Sequence, residues 1–299
     1  MKVAITGATG LIGRHVTRAL RDRGDQVVPL SRANGNVHGV PTLAWDPVFD
    51  DYPQDAADGV DAVVNLAGAS VADGRWTREH KKAIRDSRVI TTTRIADALA
   101  AGAGPRVLVS GSASGFYGDR GDEVLEEASA PGHGFLAETA QAWEAAALCA
   151  ARGGVRVAIT RTGTVFAADG GVVPRVARHA RMGLAGPIAG GRQWVPWVDI
   201  DDVVGMILAA LDDDRWEGPF NNVAPEPMRQ ADLAKALGHA VGRPAVVPTP
   251  AMAIRMAMGE AAVLVTDSQR CTPHVAAAHG YVWARPDIAA SLAARTSPV

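Results

Sequence analysis

The 299 residues carry a formal net charge of −2, with 47% hydrophobic and 21% charged residues. A near-neutral chain without runs of like charge offers no footprint for nucleic acid or a membrane surface. Its longest apolar windows are interrupted by Gly, Arg or Asp, so no membrane-spanning helix is expected. The length suits one large α/β domain, or a large and a small one. Cys149 and Cys271, the two cysteines, read as buried small apolar side chains in a reducing compartment rather than as a disulfide. The N-terminus runs straight into a strand with no secretion leader, so a cytoplasmic location is expected.

The first element is a short β-branched run, Val3 to Ile5, followed by Thr6-Gly7-Ala-Thr-Gly10-Leu-Ile-Gly13. Ile12, Val16, Ala19 and Leu20 then recur at helical spacing up to Gly24, which predicts an amphipathic helix. A strand turning on glycines into a helix aims free N–H groups and the positive dipole end at one point. A phosphate fits there without a cationic side chain. Gly7 serves the tight turn, Gly10 the close approach of a pyrophosphate, and Gly13 the packing of helix on strand. A second strand, Gln26 to Leu30, completes a βαβ unit and ends at Ser31-Arg32. An acidic residue there would bind an adenosine 2′-hydroxyl, whereas a guanidinium matches a 2′-phosphate. Arg32 therefore points to NADP(H) rather than NAD(H); the competing reading is an exposed loop arginine.

A loop leads to a third strand at Thr42–Trp45, and Val60 to Leu66 forms a buried strand ending in the small residues Ala67 and Gly68. Small residues at a strand's carboxyl end leave room for a cofactor across the sheet edge. A long helix is predicted from Thr77 to Ala101, with Ile84, Arg88, Thr91 and Ile95 on one face. A strand at Arg106–Ser110 runs into Gly111-Ser112-Ala113-Ser114-Gly115-Phe116-Tyr117-Gly118, and a helix from Phe135 to Arg152 precedes a strand at Val155–Arg161. This alternation predicts an α/β fold, a Rossmann-type doubly wound parallel sheet, over residues 1–165. Beyond it Gly and Pro become frequent, with helices at Asp201–Leu211, Gln230–Val241 and Pro250–Met258. Residues 166–299 are expected to form a smaller substrate-side domain with some elements returning to the sheet.

The glycine turn, Asn65-Leu-Ala-Gly68, the Ser110–Ser112 tip and Tyr117-Gly-Asp119 together resemble the extended short-chain dehydrogenase/reductases. Arg75-Trp76, Ser87-Arg88, Trp143-Glu144, Gly190-Gly-Arg-Gln193, Pro196-Trp197, Asp199-Ile-Asp-Asp202 and Gly218-Pro-Phe-Asn221 narrow the resemblance. They point to the atypical, nucleoside-diphosphate-sugar epimerase-like subfamily, with a departure at Ala69, where relatives often carry Glu. The resemblance implies that Arg88 faces the cofactor, that Leu66 and Ala67 lie along the adenosine and ribose, and that Thr164 and Val165 approach the nicotinamide. The expected NADP(H)-binding set is Gly7, Thr9, Gly10, Leu11, Ile12, Gly13, Ser31, Arg32, Leu66, Ala67, Gly68, Arg88, Ser110, Gly111, Thr164 and Val165. Gln193 and Trp197 are the substrate-cleft candidates, with a core role open for Trp197, and Asp199 is expected to cap the helix beginning near Asp201. The eight histidines lack metal-ligand spacing, so no metal is expected.

Typical extended members transfer hydride with a Tyr-x-x-x-Lys pair, in which the lysine lowers the tyrosine pKa toward neutrality. The chain has four lysines and three tyrosines, and Ala56, Gly121 and Arg285 stand four residues after Tyr52, Tyr117 and Tyr281. Aligned on Glu144, the pair's positions fall at Leu136 and Ala140. Ser112 remains as a catalytic candidate, with local backbone capping as its competing role, and Tyr117 is a second, weaker acid candidate. Two functions stay open: an oxidoreductase or epimerase with an atypical site acting on an unknown small molecule, and a non-catalytic NADP(H)-binding sensor or partner-binding protein. The oligomeric state is not specified by these residues.

Overall fold

The computed structural model describes residues 1–102 and 104–296. Seven parallel strands form the central sheet: β1 (Lys2–Thr6), β2 (Gln26–Ser31), β3 (Leu43–Ala44), β4 (Ala62–Asn65), β5 (Val107–Ala113), β6 (Arg156–Thr162) and β7 (Gly218–Asn222). Their order is β7-β6-β5-β4-β1-β2-β3. The order reverses at β1 and β4, and such a switch point opens a crevice at the strands' carboxyl ends. Registers there are Thr6 opposite Leu30 and Asn65, and Asn65 opposite Ser110.

The inner strands are apolar on both faces because helices cover both. Val3, Ile5, Val64 and Val109 pack with Val16 and Leu20 of α1 (Leu11–Asp22) and Val203 and Ile207 of α5 (Ile200–Asp212). The alternate residues Ala4, Val63, Leu108 and Val157 meet Ile95 and Leu99 of α2 (Arg78–Ala100) and Ala147 of α3 (Phe135–Leu148). This period of two assigns alternate residues of a strand to opposite layers. A separate core of Phe166, Val173, Ala177, Trp197, Leu237, Ile288 and Leu292 joins α4 (Val173–Arg181), α6 (Gln230–Ala240) and the helix Ile288–Thr296.

Asp199 caps α5 by accepting from the Asp201 amide at 2.9 Å, and Ser291 and Arg295 grip the same carboxylate at 2.6 Å each. The cap therefore also ties the helix Ile288–Thr296 to the start of α5. Cys271 is buried, but Cys149 is half-buried just after α3, a correction to its expected full burial. Strand β7 had no strand signal of its own: Pro219 removes a ladder donor and Asn221 and Asn222 are polar. An edge strand tolerates the proline. Both asparagines are fully buried and bonded, Asn221 to Tyr117 and Thr272 and Asn222 to Thr160 and Val203.

Candidate functional site

Gly7 leaves β1 with φ +68°, and a Cβ there would lie 2.6 Å from the Leu66 carbonyl oxygen. It therefore serves both the turn and the close approach of the β4 end. Gly13 is equally constrained, its absent Cβ falling 2.2 Å from the Gly7 carbonyl oxygen. Its role is to seat the helix on the turn itself rather than on the strand. A Cβ at Gly10 would meet only that oxygen, at 3.2 Å, and Thr9 and Gly10 are exposed. Gly10 is the N-cap of α1 and no side chain caps the helix, so its first-turn amides are left for a ligand. Leu11 lies under Gly170 and Gly171, Ile12 is half-buried, and Arg14 pairs with Asp169 at 2.9 Å. The loop after Phe166 is thereby clamped beside the turn.

Asn65 is buried and organises the strand ends: it accepts from Thr6 at 2.7 Å and donates to Thr92 at 2.7 Å and to Ser110 at 3.4 Å. Leu66 and Ala67 border Gly7, and the exposed Gly68 makes room for Arg88, whose Cζ would lie 2.8 Å from a Cβ at that position. Arg88 donates at 2.9 Å to the carbonyls of Ala69 and Ile84 and stacks over Trp143. Among the described residues it has no carboxylate partner. Burial lowers its pKa to about 10, which leaves it cationic at neutral pH. Gly111 passes the Trp143 ring, with 2.8 Å to a Cβ position, while Ser110 is fully buried. Ser31 ends β2, and Arg32 beyond it is exposed with no hydrogen-bond or ion-pair partner among the described residues.

Arg88 opens into a cleft of about 290 Å³, at the small end of ligand sites. Its walls are Val71 and Ile84, Ala113–Gly115 from the β5 tip, Leu136, Thr139, Ala140 and Trp143 from α3, Thr162–Thr164, Trp194–Pro196, Val263–Val265, Asp267 and Gln269. Thr164 thus lines the cleft, whereas Val165 packs on the main core. Leu136 and Ala140, the positions expected for a tyrosine–lysine pair, are both on its wall.

Neither catalytic candidate reaches it. Ser112 is buried and donates to Glu144 Oε1 at 2.6 Å. Tyr117 is fully buried, donating to Asn221 at 2.7 Å and accepting from Arg161 at 3.0 Å. Burial raises its pKa above the ordinary phenol value. Both belong to a network centred on Arg161, which holds Glu144 through two bonds of 2.8 Å and stacks on Phe116. Burial opposes the Arg161 charge, but its bonds to Glu144 and Tyr117 more than restore it and raise its pKa. The structure places Ser112 and Tyr117 within this buried network, off the cleft wall. The physical reason is strand alternation: Ser112 points to the Glu144 side, and Ala113 begins the cleft wall.

The substrate candidates also lie off the cleft wall. Trp197 is buried against Phe166 and donates to the Glu226 carbonyl at 3.2 Å. Gln193 is buried, bonded to the carbonyls of Ile188 and Val265, and borders a separate surface hollow. Three cleft residues escaped the sequence reading. Among the described residues, the Ser114 hydroxyl has no hydrogen-bond partner, Trp194 forms wall, and Asp267 is the cleft's one carboxylate. No spacing signal marked Asp267, because the chain brings it back from beyond residue 260.

An uncapped helix at a glycine turn and a topological switch point, with a cleft adjoining, define a dinucleotide-binding α/β protein. The chain belongs to the NAD dependent epimerase/dehydratase family, whose model matches residues 3–223; residues 249–294 match a second domain, of unknown function. An epimerase family protein of Mycobacterium leprae is 38% identical over 261 residues, 86% of this chain and 83% of that protein. A chloroplastic homologue of SDR39U1 from Arabidopsis thaliana is 35% identical, over 91% of this chain and 80% of that protein. The crystal structure of human epimerase family protein SDR39U1 with NADPH superposes with a TM-score of 0.90 at 30% identity, covering 99% of each chain. The fold and relatives make this an atypical short-chain dehydrogenase/reductase. Among the described residues no helix is long and apolar enough to cross a membrane.

Proposed function

We propose that the protein is an NADP(H)-dependent oxidoreductase acting on a small, mostly apolar molecule bearing a carbonyl or hydroxyl group. The observation that carries this reading is the continuity of one sheet edge. Gly7 touches Leu66 and Ala67, Gly68 touches Arg88, and Arg88 lines the cleft. A dinucleotide laid along that edge would place its diphosphate on the free amides of α1 and its reactive end at Ser114 and Thr162–Thr164. Arg32 is free to meet a 2′-phosphate, and the NADPH of the human relative supports that choice. When bound, the nicotinamide supplies or accepts the hydride.

Residues 1–165 hold the cofactor in this reading. Residues 166–299 contribute the substrate wall through Trp194–Pro196, Val263–Val265 and Asp267, while β7 extends the sheet and α5 covers it. The exposed wall is more apolar than polar, so each hydroxyl of a sugar that met apolar wall would cost about 1–3 kcal/mol. An aldehyde, ketone or simple alcohol fits better. A cytoplasmic location accompanies this reading, supported by the two free cysteines.

A second reading, an NADP(H)-binding sensor or partner protein that turns nothing over, draws support from Leu136 and Ala140 on the cleft wall. Incubation with NADPH deuterated at the transferable position and a panel of aldehydes and ketones separates the two. The first reading expects deuterium in a product alcohol. Tight NADPH binding with no label transferred to any member of the panel favours the second.

A further inference from the structure

Of the side chains that line the cleft, Arg88 and Asp267 alone are ionisable acids or bases, and a guanidinium does not give up its proton near neutrality. Asp267 is held by its neighbours rather than by its own carboxylate. Its amide donates to the Val263 carbonyl at 3.1 Å as it leaves the short helix Val263–Thr266. The next residue, Ser268, is pinned on three sides: its amide donates to Asp119 at 3.1 Å, its hydroxyl to the Gly121 carbonyl at 2.5 Å, and it accepts from the Trp194 amide at 3.0 Å. The Asp267 carboxyl itself has no hydrogen-bond or ion-pair partner among the described residues. A half-buried carboxyl, positioned by a rigid frame and left unbonded at a ligand cleft, is arranged to meet a ligand.

We propose that Asp267 is the proton donor and acceptor of the cleft, doing for a carbonyl substrate what a tyrosine–lysine pair does in typical extended dehydrogenases. The assignment rests on the oxidoreductase reading above. In reduction the carbonyl carbon accepts a hydride from the reduced nicotinamide, and the electron pair of the C=O π bond takes the proton from Asp267. The products are an alcohol, oxidised nicotinamide and the Asp267 carboxylate, which regains a proton from solvent. Oxidation of an alcohol runs the same transfers backward, with the carboxylate accepting the hydroxyl proton. Burial, and then the neighbouring Asp119 charge, raise the Asp267 pKa to about 6, near the optimum for proton exchange at neutral pH. Arg88 is the other charged group of the cleft, and no cation is paired with Asp267 to oppose the shift. Ser114 offers a second donor to the same substrate oxygen.

The test uses the full chain labelled with carboxyl-¹³C aspartate, and 4-nitrobenzaldehyde as a small apolar carbonyl probe. The wild type is expected to show one carboxyl resonance with a midpoint near pH 6, absent from Asp267→Asn. The aldehyde should raise that midpoint, because the protonated form donates to its oxygen. NADPH consumption with the aldehyde should fall about 100-fold or more in Asp267→Asn and recover in part in Asp267→Glu, while NADPH affinity stays within about twofold. A carboxyl titrating in the ordinary aspartate range, a midpoint unmoved by the aldehyde, or unchanged turnover in Asp267→Asn would overturn the assignment. Failure of the wild type to bind NADPH would instead overturn the oxidoreductase reading, since the titration and its response to the aldehyde need no cofactor.

Discussion

Ser112 donates its hydroxyl proton to Glu144 across 2.6 Å, inside the core and away from the cleft. The serine at the β5 tip therefore supports the Glu144–Arg161 pair, and Ser114, two residues on, faces the ligand space. Ser112→Ala should cost about 1.5–3 kcal/mol, the range for a hydrogen bond to a charged group, and leave NADPH affinity intact. Ser114→Ala should do the reverse, lowering turnover with little change in the urea midpoint. Paired unfolding curves and cofactor titrations of the two variants decide between the serines.

The Glu144–Arg161 pair is almost wholly buried and fully bonded. Removing one member leaves the other charge stranded, at a cost of about 3–5 kcal/mol. Glu144→Leu combined with Arg161→Met should be markedly more stable than either single variant. A single variant that unfolds within ~1 kcal/mol of wild type would refute the burial of the pair.

The three glycines of the first turn should separate by function. Gly13→Ala drives a methyl group against the Gly7 carbonyl and should lower the thermal midpoint sharply. Gly10→Ala brings its methyl group to 3.2 Å from that oxygen, tighter than ordinary contact but far less severe, and should cost much less stability. Its methyl group projects where a diphosphate would approach, so NADPH affinity should fall. Circular dichroism melts beside fluorescence titrations test the pair, and native affinity in Gly10→Ala would contradict the phosphate site.

Asp267 makes a stability prediction with a definite sign. Its folded pKa of about 6 lies above its ordinary value of 3.8, so the fold prefers the protonated carboxyl. Its contribution is fully present below about pH 4 and is lost as pH rises through about 6. Against Asp267→Asn, the wild type should therefore lose relative stability across that window, and the variant should be the more stable protein at pH 8. The urea midpoint difference, followed against pH, reads this directly; a flat difference would refute it.

The sheet was legible because its strands are short apolar runs separated by glycine turns and periodic helices. The glycine motif was legible because its spacing is local. Strand β7 was hidden by Pro219 and two asparagines whose burial depends on partners far away in the chain. The cleft was legible in part: Leu136 and Ala140 could be placed by counting along one helix. Ser112 and Ser114 lie on opposite sides of a strand tip whose last residues turn, so composition could not choose between them. Trp197 and Gln193 were singled out by motif, yet tertiary packing puts both inside. Asp267 depends on a segment that returns to the sheet edge after crossing the second half of the chain, and no local pattern announces that.

The first turn and Arg32 together set which nucleotide the protein holds. Equilibrium fluorescence titration of the wild type with NADPH and NADH, repeated on Arg32→Ala, measures it. NADPH should bind tighter by about tenfold or more, the worth of a charge-assisted contact to a 2′-phosphate, with most of that preference gone in Arg32→Ala. Equal affinity of the wild type for the two nucleotides, or binding of neither, would contradict it.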